Sequence, residues 1–327
     1  MKKAIEQGKK LIKNAKTIAI FWHMNPDGDC IWAMLGLGKL LEKQKKKVSY
    51  FVPNTPSKIF DFIKKIHRLK TRFDYKTYDL LIFVDFTWIE RMGGIGQNNP
   101  EYFKDKDILI FDHHLGKAEY GVSIKDVHSI SACEILFEQT YKRRPELYDK
   151  EIATHFYMGI TTDSWNFLFG EDHIRTFTNA LKLLKLWANK DLIVDNLIRK
   201  KSFNAIKFLQ LLLNRIQQKE GIVYTYYDEK ELIEYAIDEE EAWYGLHVIQ
   251  NIEGPKIFLL LRKSGDKIKG SLRAKKNIHQ DIDCNKIAQG LWWWGHKLAA
   301  WFAVTIEKDF EKQITSIVDE IFKYLET

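Results

Sequence analysis

Apolar positions along the chain follow two rhythms. Unbroken apolar runs at 17–21, 48–52, 79–85 and 107–111 read as strands, because each is short and has no helical periodicity. The stretches between and after them, 2–15, 30–46, 57–68, 130–142, 149–162 and 172–200, carry apolar residues at helical spacing. Continuous apolar strands alternating with helices predict a parallel sheet covered on both faces. After a connecting helix at 203–218 the pattern changes at Gly221, with strands at 222–227, 256–262 and 267–273 and helices near 240–250, 283–290 and 309–325. The expected fold class is α/β: a parallel-sheet N-terminal domain with flanking helices (1–200), a linker (201–220), and a smaller mixed α/β C-terminal domain (221–327). In a chain of 327 residues, division into two domains is the natural expectation.

The polar residues that interrupt this pattern cluster where the strands end. His23-Met-Asn-Pro-Asp-Gly-Asp29 follows the first run, Asp85 closes the third, and Asp112-His113-His114 closes the fourth. Thr162-Asp163 ends the helix at 149–162. Ligands of parallel sheets gather at the carboxyl ends of strands. Any one of these clusters alone reads equally as a solvated turn or a helix cap. Four of them, converging by the logic of the fold, favour a metal centre. Carboxylates with a minority of imidazoles suit manganese or magnesium better than zinc, and the donors suffice for two ions sharing a carboxylate. Ser131 reads as a cap of the helix that follows it, and Arg175 as a helix-surface charge.

Composition narrows the setting. Apolar content of 45% and charged content of 29% are those of a soluble globular chain, and no apolar run is long enough to cross a bilayer. The lysines of the N-terminus have no apolar core behind them, so no signal peptide is expected. Cys30, Cys133 and Cys284 are dispersed and odd in number, which fits a reducing, cytoplasmic compartment and neither a disulfide framework nor a zinc site. The net charge of +7 is compatible with a polyanionic substrate.

In order and spacing, His23-x-Asn-Pro-Asp-Gly-Asp29, Asp85, Asp112-His113-His114, Thr162-Asp163, Ser271-Leu-Arg273 and Gly295-His296 resemble the DHH phosphoesterase superfamily. The resemblance is to its two-domain bacterial branch, the oligoribonuclease (nano-RNase) and 3′-phosphoadenosine 5′-phosphate phosphatase type. It implies a hydrolase with two divalent cations, manganese first, with magnesium or cobalt as alternatives. It implies that His23 and Asp27 hold one ion, that Asp29, His113 and Asp163 hold the other, and that Asp85 bridges them. Asp112 would orient its neighbouring histidine, and His114 would face the substrate phosphate. Arg273, Gly295 and His296 of the C-terminal domain would bind a short single-stranded RNA or a mono- or dinucleotide. The resemblance leaves room for a homodimer and implies no membrane partner. Two alternatives stand beside it: a phosphodiesterase for cyclic di-adenosine monophosphate or its linear product, and a catalytically dead nucleotide-binding homologue.

The chain departs from that family in one systematic way. Trp22, Trp32, Trp88, Trp165, Trp187, Trp243, Trp292, Trp293, Trp294 and Trp301 all fall where the family carries or tolerates glycine. Glycine serves there because backbone must approach phosphate or adopt positive φ. The expectation is a gene in which UGA encodes glycine and was rendered as tryptophan. The ratio of 41 lysines to 10 arginines, expected of an AU-rich gene, agrees with it. Crowding of the cleft by Trp165 and Trp292–Trp294 is expected in the chain as written, and those four indoles packed in an apolar core away from the cleft would count against the miscoding account.

Overall fold

The computed structural model describes residues 1–24, 26–63, 66–275, 282–290, 295–307 and 309–326, the side chains of 67, 295, 296 and 326 aside. Contacts divide the chain into two units, Met1–Arg199 and Lys200–Thr327.

In the first unit six parallel strands form one sheet: β1 (Thr17–Phe21), β2 (Lys47–Phe51), β3 (Leu69–Lys70), β4 (Leu80–Val84), β5 (Ile108–Asp112) and β6 (Val122–Lys125). Their order is β3-β2-β1-β4-β5-β6, so the winding reverses between β1 and β4. The unbroken apolar runs are explained by burial on both faces. Ile18 and Ile20 of β1 and Leu80, Ile82 and Val84 of β4 enter one core. Ala19, Phe21, Leu81 and Phe83 enter the other, an aromatic layer where Phe83 stacks on Phe86 at 4.9 Å.

The longer helices are α1 (Lys2–Asn14), α2 (Gly28–Lys43), α3 (Ala132–Tyr141), α4 (Lys150–Asp163) and α5 (His173–Lys185) in this unit, and α6 (Phe203–Asn214) and α7 (Phe310–Glu326) in the second. α2 is buried almost throughout from Gly28 to Leu41. A helix apolar on all sides is the expected product of such a position.

The second unit is a mixed sheet, ordered β11-β12-β10-β9-β8-β7, from β7 (Gln217–Lys219), β8 (Ile222–Asp228), β9 (Ile257–Ser264), β10 (Lys267–Ala274), β11 (Gly295–His296) and β12 (Ala299–Thr305). Only β8 and β9 pair parallel; the other pairs are antiparallel. One core lies against α7 and another against α6.

Several expected elements differ. The stretch 57–68 makes two 3₁₀ turns, Lys58–Phe60 and Ile66–Arg68, rather than a helix. The helix expected over 172–200 stops at Lys185 and resumes at Lys190–Ile193, and that over 240–250 is two short pieces, Glu239–Ala242 and Tyr244–Ile249. Strands β3, β6, β7 and β11 went unread because they are short or polar, and the apolar β12 went unread as well.

Candidate metal centre

The crevice where β1 and β4 diverge collects the motif residues. His23 lies two residues past β1 and Asp85 directly past β4, the place where open parallel sheets bind ligands. Asp85 has φ +66, a left-handed conformation that a non-glycine residue adopts at a cost, held by Asp85 N–H donating to Phe111 O at 2.8 Å. Asp27 caps α2, accepting from Cys30 N at 3.0 Å. Asp29 is buried, and its two oxygens accept the first N–H groups of α3, from Ala132 at 2.6 Å and Cys133 at 3.0 Å. Gly28 and Gly159 make this convergence sterically feasible. A Cβ on Gly28 would lie 2.5 Å from Thr162 Oγ1, and one on Gly159 would lie 2.7 Å from Asp29 Oδ1.

The two histidines meet opposite oxygens of one carboxylate. His23 Nδ1 donates to Met24 O at 2.8 Å, which leaves the Nε2 lone pair facing Asp85 Oδ2 at 3.2 Å. His113 Nδ1 donates to Ser129 O at 3.2 Å, and its Nε2 faces Asp85 Oδ1 at 3.2 Å and Asp163 Oδ2 at 3.3 Å. Lone pairs opposed in this way require a proton or a cation between them. Donors adjacent on a six-coordinate ion at about 2.1 Å lie about 3 Å apart, so the spacing fits a cation. Three overlapping donor clusters result among the described residues, and two of them, His23–Asp27–Asp85 and Asp29–His113–Asp163, are joined by the third, Asp85–His113–His114. Cys30 also lies within the first set, yet burial pushes its thiol well up, so it is no thiolate ligand.

Electrostatics point the same way. Burial, then the nearby Asp85 carboxylate, raises Asp29 to about 7. Burial raises Asp163 well above its ordinary value as well, against the pull of His113. Burial would also raise Asp85, but hydrogen bonds with His113 and His23 outweigh it and hold Asp85 well below. Carboxylates packed in this way are short of positive charge, which a divalent ion supplies.

Asp112 is fully buried and stands one step back. It accepts from Thr87 Oγ1, from His114 N at 3.1 Å and from His114 Nδ1 at 2.8 Å, and it pairs with Lys125 Nζ at 3.1 Å. Burial alone would raise its carboxyl; His114 and Lys125 prevail and keep it ionised. Lys125 is anchored by Gly116 O at 2.8 Å and Thr87 Oγ1 at 3.1 Å. Thr87, Lys125, Ser129 and Glu134 were not singled out in the sequence. The end of a predicted strand at 85 hinted at Thr87; nothing marked Lys125, whose strand is only four residues long. Ser131 caps α3 as expected, accepting from Glu134 N at 3.0 Å. Arg175 departs from its reading as a surface charge: it is half-buried and clamps Asp126 at 2.8 Å and Glu138 at 2.7 Å, because α5 packs its polar side inward.

In the second unit Arg273 lies on β10 with its guanidinium 5.2 Å from the Trp243 ring. Gly295 and His296 form β11, paired with Ala300 and Ala299. The side chain of His296 and residues 292–294 lie outside the described residues.

The tryptophans divide. Trp22 and Trp32 are buried in the first core, and neither indole N–H has a hydrogen-bond partner there. Trp165 (φ +53) and Trp187 (φ +66) are left-handed. Each follows a helix cap. Trp165 N bonds Thr162 O at 3.1 Å and Asn166 N bonds Thr161 O at 2.8 Å; Trp187 N bonds Leu184 O at 2.9 Å and Ala188 N bonds Leu183 O at 3.1 Å. This is the Schellman pattern, whose left-handed position belongs to glycine.

Residues 17–160 match the DHH family, N-terminal domain. That stretch is a DHH-family N-terminal domain, and with the donor sets above it makes the chain a metal-dependent phosphoesterase. Among particular relatives, the chain is 25% identical over 98% of its length and 99% of theirs to the "Bifunctional oligoribonuclease and PAP phosphatase NrnA" of Mycoplasma genitalium. The protein of the same name from Bacillus subtilis is 22% identical over 87% of this chain and 88% of its own. An exopolyphosphatase-related protein from Bacteroides fragilis shares the fold, with a TM-score of 0.88 at 20% identity over 99% of this chain and 97% of that one. No described helix is long and apolar enough to cross a membrane.

Proposed function

We propose that this phosphoesterase hydrolyses short oligoribonucleotides and removes the 3′-phosphate of 3′-phosphoadenosine 5′-phosphate. The observation that carries the reading is the pair of histidine Nε2 atoms on opposite oxygens of Asp85 at the β1/β4 crevice. The names of the full-length relatives from Mycoplasma genitalium and Bacillus subtilis supply the substrate class. His23 and Asp27 would hold one divalent ion, Asp29, His113 and Asp163 a second, with Asp85 shared; manganese is the ion of choice for such oxygen-rich donors. Ions held there would neutralise phosphoryl charge and acidify water.

The residues around them do the rest. Asp112, kept ionised by His114 and Lys125, accepts a hydrogen bond from His114 Nδ1–H and so fixes its tautomer. His114, half-buried at the rim, is thereby aimed to exchange a proton with substrate oxygens through Nε2. In the second unit Arg273 would grip phosphate as a fork, and Gly295 and His296 would line the nucleotide. The working form carries glycine at positions 165, 187 and 292–294; the two Schellman caps support this reading, and UGG codons there would sink it. Three dispersed free cysteines, all buried, favour a cytoplasmic setting.

The test is manganese-dependent hydrolysis of a ribonucleotide dimer-to-pentamer series and of 3′-phosphoadenosine 5′-phosphate. It uses the chain as written and a version with glycine at all ten tryptophan positions, each with a His114→Ala control. Release of mononucleotides by the glycine version, lost in the control, is the expected result. A glycine version that binds manganese and nucleotide but turns over neither substrate would leave the nucleotide-binding alternative in its place.

A further inference from the structure

Glu134 lies in the first turn of α3 and is fully buried, where a carboxylate is costly unless it is well partnered. Three donors and one cation meet it. Ser129 Oγ donates to its Oε2 at 2.9 Å and Ile130 N at 3.2 Å, Asn179 Nδ2 donates to Oε1 at 3.2 Å, and Arg175 Nε stands 3.6 Å from Oε2. Fastening α5 does not require this carboxylate. Arg175 donates to Glu138 at 2.8 and 2.7 Å and to Asp126 at 2.8 Å, and Asn179 donates to Glu138 at 2.7 Å. The shortest contact of Glu134 is with Ser129, so its grip is on the turn at 129–130, and α5 supplies the charge and the donor that make its burial tolerable.

That turn supports two members of one donor set. Ser129 O accepts from His113 Nδ1 at 3.2 Å, which leaves Nε2 as the ligand atom. Ala132 N and Cys133 N, just past the turn, donate to the two oxygens of Asp29. Ser131 joins the two supports: its Oγ accepts from Glu134 N at 3.0 Å, and its carbonyl accepts from Ser129 Oγ at 3.0 Å. We propose that Glu134 is a positioning residue for the ion of Asp29, His113 and Asp163. Through Ser129 it aims His113, and through the start of α3 it aims Asp29. This rests on the two-ion reading above. Glu134 touches neither ion nor substrate; it acts through the residues that do.

Calorimetric titration of the full chain with manganese, beside thermal melts in chelator, tests this. The site in question is the one that survives Asp27→Asn. Glu134→Ala should weaken it about 10–100-fold and leave the other site within about twofold of the parent. Glu134→Gln, which keeps an oxygen for Ser129 and Ile130, should retain most of the affinity. Since Glu134→Ala can unfold the chain, which the melts would show, Ser129→Ala provides the second arm. It removes one hydroxyl and should weaken the same site about three- to tenfold. Where Glu134 is already alanine, that further loss should vanish, because the two residues act through one hydrogen bond. A folded Ser129→Ala or Glu134→Ala chain with both sites at parental affinity overturns the proposal, as do equal losses at both sites or fully additive effects. A parent chain that binds no manganese defeats the two-ion reading itself, and the proposal with it.

Discussion

The two halves of the metal cradle are built differently. Asp29 and His113 are fixed from behind: Asp29 by two backbone N–H groups at the start of α3, His113 by Ser129 O, and that turn in turn by Glu134, which accepts from Ser129 Oγ at 2.9 Å. On the other side, His23 rests on the carbonyl of its own neighbour, Met24, and the Asp27 side chain is about half exposed. One half is rigid before any ion arrives, and the other can adjust. Preorganised ligands bind with less ordering cost, so the Asp29–His113–Asp163 half should load first.

The strongest way to break this asymmetry is to remove what the halves share. Asp85→Asn should abolish both donor sets, with hydrolysis falling roughly a thousandfold or more and calorimetric titration with manganese showing neither site. Next comes the paired comparison of Asp29→Asn and Asp27→Asn. The first turns an amide N–H₂ toward the α3 donors and should lower stability by about 1–3 kcal/mol as well as activity. The second keeps a good cap and should leave stability within about 0.5 kcal/mol while activity falls about 10–100-fold. Equal losses of stability in thermal melts would erase the distinction between the halves.

A third outcome concerns pH. Asp29 and Asp163, raised from 3.8, stay protonated when folded at pH values where the unfolded chain has lost those protons, so stability falls as pH rises through this range, to about 7 for Asp29. His113 is raised well above 6.5 by Asp85 and Asp163, which outweigh burial. Its contribution is present below pH 6.5 and is lost as pH climbs through the folded value. Asp85 has the opposite slope, but below 3.8. Chelated protein should therefore melt lower at pH 8 than at pH 5.5, and manganese should raise the midpoint more at pH 8. A flat profile in chelator would contradict the crowded-carboxylate account.

Smaller effects follow. Lys125→Met leaves Asp112 buried without its cation, and activity should fall about tenfold with metal affinity little changed. Trp187→Gly, far from the cradle, should stabilise the chain by about 1 kcal/mol by relieving the left-handed cap. A loss of stability there would mean the indole is suited to its place.

Legibility in the sequence followed the same divide. The unbroken apolar strands, the residues at their ends and the family resemblance were readable because strand burial and ligand chemistry both demand particular residue types at particular places. What holds the ligands was not. The donors to Asp29 are backbone N–H groups of Ala132 and Cys133, which any residue supplies, and Lys125 is one of many lysines. The outward apolar stripe on α5, with Ile174, Phe177 and Leu181, was visible as helical periodicity, but periodicity cannot say which face looks inward; Asn179 and Arg175 decide that by their partners.

The positions of the ligands along the chain also bear on how the protein reaches its native state. His23 and Asp163 are separated by 140 residues, with Asp85 and His113 between them. No hairpin or single βα unit contains a complete donor set. Loop-closure entropy must be met across β1 and β4 before the first set exists, and across β5 and α4 as well before the second does. Occupation of both donor sets would thus report on completion of the first unit, and a nascent chain that ends before α4 would carry most of the motif residues and have nowhere to put the second ion.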